Sequence, residues 1–137
     1  MQFQIGDIVI SNNPWLISMI GAPHVPGVIT YVGLYSSKVR LFTDSEDITL
    51  MNDYIDKINM DTKKHNLKIG DLVELKPNIK RILSLRGVGT IIAETVIKSS
   101  DFDERGINSF VDSYLVYFAE EDYAYTIPKN CLRLFSK

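Results

Sequence analysis

Cysteine and histidine are nearly absent from this sequence, which has one cysteine, Cys131, and two histidines, His24 and His65. A single thiol cannot form an intramolecular disulfide, and two imidazoles in predicted loop and linker segments argue against a histidine-based metal site. No stretch approaches the roughly 18 consecutive apolar residues of a membrane span. Residues 1–10 also lack the basic flank and apolar core of a signal peptide. We therefore expect a cytoplasmic protein without a membrane partner.

Sequence motifs of catalysis are also missing. The chain has no nucleophile elbow, phosphate-binding loop or dinucleotide-binding fingerprint, and Gly87-Val88-Gly89 is too short to hold a phosphate. The acidic stretches Asp44–Asp47 and Glu120–Asp122 fall in predicted exposed turns, which rarely hold the desolvated carboxyl pair that acid–base catalysis needs. We therefore expect that the protein is not an enzyme and that it binds no cofactor, metal or small-molecule substrate.

A strong excess of one charge is absent as well, since the formal net charge is −2. Residues 1–65 contain five Lys/Arg and seven Asp/Glu, whereas residues 66–137 contain ten of each. Proteins that bind nucleic acid without specificity are usually strongly basic. Any basic surface of this chain is therefore expected to be local.

The sequence does contain an internal repeat. Ile5-Gly6-Asp7-Ile8-Val9-Ile10 returns 64 positions later as Ile69-Gly70-Asp71-Leu72-Val73-Glu74. An offset of 76 then matches three further stretches: residues 39–42 with 115–118, 44–46 with 120–122, and 55–58 with 131–134. The change of offset predicts an insertion in the second copy, at about 98–112. Four matches in the same order indicate a duplication.

Each copy is typical of a set of short strands. Alternating and β-branched residues follow each Gly-Asp pair, and acidic turns separate the later segments. The strands predicted after the first in each copy are Gly27–Val32, Val39–Thr43 and Ile48–Met51, then Gly89–Ile97, Leu115–Ala119, Tyr123–Ile127 and Leu132–Phe135. The predicted domains are a first small β-barrel (1–58), a polar linker (59–67) and a second small β-barrel (68–137). A curled sheet hides strand edges that a flat five-stranded sheet would expose.

These motifs resemble those of the Src-homology-3-like small barrels, in particular the KOW and Tudor-like branch. The matching residues are 70–73 and 87–91, with a weaker first copy at 6–9 and 27–29. The resemblance implies an all-β fold of two tandem five-stranded barrels. It also implies binding to nucleic acid, or to a ribosome or RNA-polymerase surface. KOW motifs have a shorter connection between these glycines than the 16–20 residues found here. Small phage proteins also use such barrels, as transcription modulators or virion parts.

The long connection between strands one and two is the most informative segment of each copy. Apolar residues recur there at i, i+3 and i+4, directly after a proline, which predicts one short helical turn per copy. The apolar positions are Leu16, Met19 and Ile20 in the first copy and Ile79, Ile82 and Leu83 in the second. Their spacing is typical of residues that cover a core.

The outward positions of that connection differ between the copies. In the second copy they are Lys76, Lys80, Arg81 and Arg86, which would neutralise several phosphates or form an ordinary solvated surface. In the first copy they are Trp15, Ile17 and His24, where an exposed Trp would be a typical protein-interface anchor or a plug between the two barrels.

Two weaker site hypotheses concern aromatic and acidic residues. Tyr31, Tyr35, Tyr123 and Tyr125 could form a cage for a methylated cation, but tyrosines at strand ends more often line a barrel rim.

The acids of residues 101–106, with Asp112 at the twelfth place, imitate a calcium loop. Arg105 occupies the fifth place, where a ligand oxygen belongs. An acidic hairpin tip is the simpler interpretation.

The sequence thus predicts a non-enzymatic binding module. The first hypothesis is contact with nucleic acid, RNA polymerase or ribosome through residues 76–86. The alternative is a structural or adaptor protein, such as a phage virion or assembly component, which docks on a protein through Trp15, Ile17 and neighbouring apolar residues. A mimic of nucleic acid that uses the acidic turns is a weaker third hypothesis, because the net charge is small.

Overall fold

The computed structural model describes residues 3–12, 25–43, 46–60, 66–83, 85–102 and 108–135, with side chains described outside 100–109. The chain is all-β and contains two five-stranded antiparallel sheets, which confirms this part of the predicted fold. The strands of the first sheet are β1 (Ile8–Ser11), β2 (Gly27–Val32), β3 (Ser36–Leu41), β4 (Asp47–Met51) and β5 (Ile55–Lys57). Those of the second are β6 (Leu72–Leu75), β7 (Gly89–Phe102), β8 (Asn108–Phe118), β9 (Tyr123–Pro128) and β10 (Leu132–Leu134).

The two sheets have the same strand order. The first runs β4-β3-β2-β1-β5 and the second runs β9-β8-β7-β6-β10, so each strand has the same neighbours in both copies. A 3-10 turn precedes the last strand in each, at Asn52–Tyr54 and at Lys129–Cys131. One helical turn, α1 (Pro77–Lys80), lies between β6 and β7. The corresponding stretch of the first copy, residues 13–24, lies outside the described residues.

Each copy begins with the same tight turn, for which the Gly-Asp pair is required. Gly6 and Gly70 have φ angles of 95° and 96°, in the left-handed region that favours glycine. The carboxylates of Asp7 and Asp71 then accept a hydrogen bond from the backbone N–H three residues earlier, at 2.8 Å in both copies. The repeat identified in the sequence is therefore also a repeat of backbone geometry.

The cores of the two sheets occupy equivalent positions. The first core consists of Phe3, Val9, Ile29, Val39, Leu41, Leu50 and Ile55. Buried residues at the corresponding positions of the second sheet are Val73, Ile91, Val116, Phe118, Ile127 and Leu132. From strand three onward the offset between these positions is 77, so the predicted offset of 76 is wrong by one residue. Successive side chains of a strand point to opposite faces, and a slip of one would exchange core and surface.

The predicted insertion lengthens two strands. β7 and β8 form a long hairpin, whereas β2 and β3 are joined by only three residues. The chain groups into two compact units: Met1–Asn59 with Ile97–Val111, and Met60–Val96 with Asp112–Lys137. The outer part of the hairpin thus belongs to the compact unit of the first sheet. The predicted domain boundaries stay a prediction.

Candidate binding surfaces

The connection between β6 and β7 holds the four cations that the sequence singles out. Lys76 precedes α1 in extended conformation, Pro77 occupies the first helical position, and Ile79 is fully buried beneath the turn. The backbone N–H of Lys76 donates to the Cys131 carbonyl at 2.8 Å. The turn is thereby fixed at one end to the 3-10 turn before the last strand, and to the core through Ile79.

The four cations lie in three different environments. Lys76 is only 2% exposed, so its ammonium group is not at the surface. Lys80 and Arg81 are exposed at the end of α1, and no ion pair with a described residue involves either of them. Arg86 is exposed but its guanidinium Nε lies 3.3 Å from Glu121 Oε1. Two cations are therefore available without competition from a described carboxylate.

The turn between β8 and β9 holds Arg86 from the other side. Glu121 Oε1 also accepts the Arg86 backbone N–H at 2.8 Å. That backbone hydrogen bond is the main cause that keeps the pKa of Glu121 below its ordinary value, and the guanidinium adds to the effect. Gly87, with a φ of 78°, lies directly against the Glu120 side chain, where a Cβ would collide with the carboxylate. The two loops thus form one fixed structure.

Aromatic residues line the same hairpin. The rings of Tyr123 and Tyr125 meet edge to face at 4.7 Å between centroids, and Phe118 contacts Tyr125 at 6.0 Å. Burial is the main cause that raises the pKa of Tyr125, whereas that of Tyr117 is raised chiefly by its 2.8 Å hydrogen bond to Asp122. Edge-to-face packing is a geometry that neighbouring aromatic rings prefer, so these rings pack on one another.

The four tyrosines of the predicted cage belong to different units. Tyr31 and Tyr35 belong to the first, Tyr123 and Tyr125 to the second. A ring contact is found for the second pair.

The second unit also contains the cysteine. Cys131 is fully buried, and burial raises the pKa of its thiol far above the ordinary value. A buried neutral thiol is unreactive. Within the described residues there is no group of three or more histidine, cysteine or acidic side chains that could hold a metal ion. The residues of the imitated calcium loop between 103 and 107 lie outside the described part of the chain.

An apolar surface that the sequence analysis did not predict as a binding surface lies on the first sheet, and it includes the cage candidate Tyr35. The three-residue turn between β2 and β3 presents Leu34 and Tyr35, which are 84% and 74% exposed. We call these two side chains the hairpin tip. Met51, which pairs in register with Ser36, and Tyr54 are also exposed. Two large apolar residues in a turn where polar residues are usual were the available sequence signal.

One asparagine holds this tip in place. Asn52 Nδ2 donates to the carbonyls of Gly33 and Leu34 at 3.1 and 3.3 Å, and the Asn52 backbone N–H donates to the Tyr35 carbonyl at 2.8 Å. Ser37 Oγ donates to Asn52 Oδ1 at 2.6 Å and so fixes the orientation of the amide. Hydrogen bonds within the chain therefore fix the backbone of this turn, from which the two exposed side chains project, without a bound partner.

The remaining predicted interface residues, Trp15, Ile17 and His24, lie outside the described residues. Across the described part of the chain, no helix is long and apolar enough to cross a membrane. No protein-family model matches the chain, and neither the curated proteins nor the solved structures contain a match.

Proposed function

We propose that the chain is a non-enzymatic adaptor that binds another protein through the hairpin tip. The observation that carries this proposal is the combination of exposure and rigidity at Leu34 and Tyr35. Tyrosine is among the residues that dominate binding energy at interfaces. A backbone already fixed by Asn52 loses little conformational entropy when a partner binds, and this preorganisation raises affinity.

The proposal also concerns the family to which the fold belongs and the kind of assembly in which the chain acts. The shared strand order and the 3-10 turn before the last strand support two Src-homology-3-like barrels of the KOW or Tudor-like type. In this proposal the chain is itself a structural or adaptor protein, such as a phage virion or assembly component, and its partner is another protein.

The test uses a photo-crosslinking residue at position 35 in cells that express the chain. We expect crosslinking to one predominant protein. With that protein purified, the double variant Leu34→Ala, Tyr35→Ala should bind at least about tenfold more weakly, a loss of about 1.4 kcal/mol. Because the contact is apolar, binding by the unmodified chain should persist in high salt.

The second sheet supplies a matched control. Leu134 and Tyr123 are a leucine and a tyrosine that are also exposed, and they lie on other strands. The variant Leu134→Ala, Tyr123→Ala should leave binding unchanged. Equal losses in the two double variants, or no loss in either, would contradict binding through the hairpin tip.

A second candidate function is contact with nucleic acid, or with a polymerase or ribosome surface, through Lys80 and Arg81. It is supported by the exposure of these two cations on a turn fixed by Ile79. The burial of Lys76 and the pairing of Arg86 reduce the predicted cluster from four cations to two that form no ion pair with a described residue.

Mixed-sequence DNA and RNA duplexes serve as probes for this second function. With two phosphate contacts, the logarithm of the association constant for DNA should fall with the logarithm of salt concentration with a slope of about −2. The variant Lys80→Glu, Arg81→Glu should abolish that binding. Binding that is unchanged in the variant would eliminate this function.

A further inference from the structure

Four strands form the edges of the two sheets, and β9 differs from the other three. β5 and β10 have three residues each and contain the charged side chains Asp56, Lys57 and Arg133. β4 has five residues and begins with Asp47, whose carboxylate is ion-paired. β9 has six residues, and none of them is charged. Proteins usually protect an edge strand by shortening it or by adding charges or proline, and β9 has only Pro128, at its last position.

Pro128 indicates which backbone groups of β9 face away from the sheet. It pairs with Ser113, and the register of β8 with β9 continues from there without a shift. A residue without an N–H cannot exchange two hydrogen bonds with its partner, so Pro128 occupies a non-hydrogen-bonded position of the ladder. Alternate residues share this orientation. Ala124 and Thr126 therefore turn their backbone N–H and C=O groups away from β8.

No described residue forms a backbone hydrogen bond with this outward side. β9 has one neighbour in its sheet, β8, and no backbone hydrogen bond outside their ladder involves residues 123–128. An extended peptide that adds to a sheet edge pairs with such groups through its own backbone. Tyr123 and Tyr125 lie beside the edge, on the face of Ile127, and Tyr123 is 55% exposed. Their rings offer an apolar contact to every second side chain of an added strand.

The turn before β9 indicates the charge of the partner. It contains the carboxylates of Glu120, Glu121 and Asp122, of which Glu121 pairs with Arg86. Glu120 and Asp122 are exposed, and neither forms an ion pair with a described residue. One end of a strand added to β9 lies beside this turn. A lysine or arginine at that end would meet a complementary charge.

A second copy of this chain fits the edge less well than a basic peptide. In the described part of the chain, the cations in or next to the edge strands are already paired with carboxylates of their own chain: Lys57 with Asp7, Lys129 with Glu94 and Arg133 with Glu74. β4 contains no lysine or arginine. The structure therefore favours a partner that brings a cation of its own.

We propose that β9 is the edge to which an extended, basic segment of another protein adds as a sixth strand. The backbone of this segment pairs with Ala124 and Thr126. Its apolar side chains contact the rings of Tyr123 and Tyr125, and a lysine or arginine lies beside the acidic turn. The surface belongs to the second sheet and the hairpin tip to the first, so the proposal does not depend on the adaptor function.

Fluorescence anisotropy with four synthetic peptides tests the proposal. All contain the core Thr-Val-Ser-Val-Thr, with two lysines or two glutamates placed either before or after it. One lysine peptide should bind at least about tenfold more tightly than the matching glutamate peptide, and the position of its lysines gives the strand direction. Equal binding of lysine and glutamate peptides, or no binding at about 1 mM, overturns the proposal.

Thr126→Pro tests the edge itself. It removes an outward N–H and leaves the hydrogen bonds between β8 and β9 intact, as Pro128 does. The lysine peptide should bind at least about tenfold more weakly. Thr126→Val keeps the N–H, and Thr49→Pro changes the equivalent position of β4, so both should bind normally. Equal weakening by the two proline variants, which circular dichroism must show to be folded, overturns the proposal.

Asp122→Asn tests the charge without a change of turn geometry. Asparagine tolerates the positive φ of 51° and keeps an oxygen for the Tyr117 hydroxyl, which lies 2.8 Å from Asp122 Oδ1. Combined with Glu120→Gln, it should abolish the preference for lysine over glutamate peptides. A preference that persists in this double variant contradicts the assignment of a basic partner.

Two further measurements separate the alternatives. The variant Leu34→Ala, Tyr35→Ala should bind the lysine peptide normally, and Thr126→Pro should keep the crosslinked partner of the hairpin tip. Self-association in sedimentation that Thr126→Pro abolishes, without peptide binding by the unmodified chain, would assign the edge to a second copy and overturn the proposal.

Discussion

The two sheets share their backbone down to individual hydrogen bonds but differ in what they present to solvent. Gly6 N–H donates to the Ile29 carbonyl at 2.8 Å, and Gly70 N–H donates to the Ile91 carbonyl at 2.7 Å. The last strands pair with the first in the same register, Val9 with Lys57 and Val73 with Leu134. The duplicated part is thus the scaffold of turns and core positions.

The differences lie in the side chains that the scaffold carries. Ser37 and Asn52 form a hydrogen bond that fixes the hairpin tip, whereas their equivalents Tyr114 and Lys129 form a cation–π contact at 4.8 Å. Equivalent positions therefore fix an exposed turn in one copy and place a lysine over a tyrosine ring in the other. Function is expected where the copies differ, because the shared positions are explained by folding alone.

The largest expected effect tests whether the two cores are equivalent. Ile29 and Ile91 are both fully buried at the same position of their sheets. Each change to Ala should lower the free energy of unfolding by about 2–5 kcal/mol, from lost burial and the remaining cavity. Hydrogen exchange should accelerate in β1–β5 for Ile29→Ala and in β6–β10 for Ile91→Ala. If hydrogen exchange accelerated equally in both sheets in either variant, the two cores would not be separate, equivalent units.

A smaller loss of unfolding free energy is expected at the Asp47 carboxylate, which is buried on the face of the first sheet opposite the core. Asp47 Oδ1 lies 2.8 Å from Arg40 Nε, and Asp47 Oδ2 accepts a hydrogen bond from Thr30 Oγ1 at 3.0 Å. Its equivalent in the second sheet is Ala124. Asp47→Ala makes the first sheet resemble the second and should cost about 1.5–3 kcal/mol, since charge-assisted hydrogen bonds are lost.

The control for that variant removes an exposed carboxylate. Glu94 pairs with Lys129 at the surface, and Glu94→Ala should cost less than about 1 kcal/mol in the same denaturant titration. If Asp47→Ala and Glu94→Ala lowered the free energy of unfolding equally, burial would not strengthen the ion pair between Arg40 and Asp47.

The sequence predicted the strands and the duplication because alternation and the Gly-Asp turns are local signals. It gave the wrong offset for strand three because Leu115, Val116, Tyr117 and Phe118 are all apolar, so alternation could not show which of them face the core. The burial of Lys76 and the Arg40–Asp47 pair depend on contacts between distant segments. Local composition contains no information on such contacts.

The hairpin tip is a different case. Leu34 and Tyr35 lie between two predicted strands, but the backbone of their turn is held by Asn52, which lies 18 residues beyond Leu34. The different exposure of Ile8 and Leu72 likewise follows only from comparing the two sheets after folding, because the two residues match in type and position.

The smallest expected effect concerns the acidic turn that follows the third strand of the second sheet. Glu121 has a pKa below its ordinary value, mainly because of the Arg86 backbone N–H. A carboxylate with a lowered folded-state pKa stabilises the fold above its unfolded-state pKa, and this contribution disappears as pH falls through the folded-state value. The same turn should therefore loosen in acid, and the protection factor of the Arg86 amide, which corrects for the slower intrinsic exchange at low pH, should fall.

Arg86→Ala separates the two contacts, because it removes the guanidinium and keeps the backbone N–H. The pKa of Glu121, followed by NMR titration of its carboxyl carbon, should rise only part of the way towards its ordinary value. Arg81→Ala, a change at a neighbouring exposed cation, should leave that pKa unchanged. If the pKa of Glu121 returned fully to its ordinary value in Arg86→Ala, the Arg86 side chain, and not its backbone N–H, would hold the turn. The turn would then be held by one exposed ion pair, which salt screens.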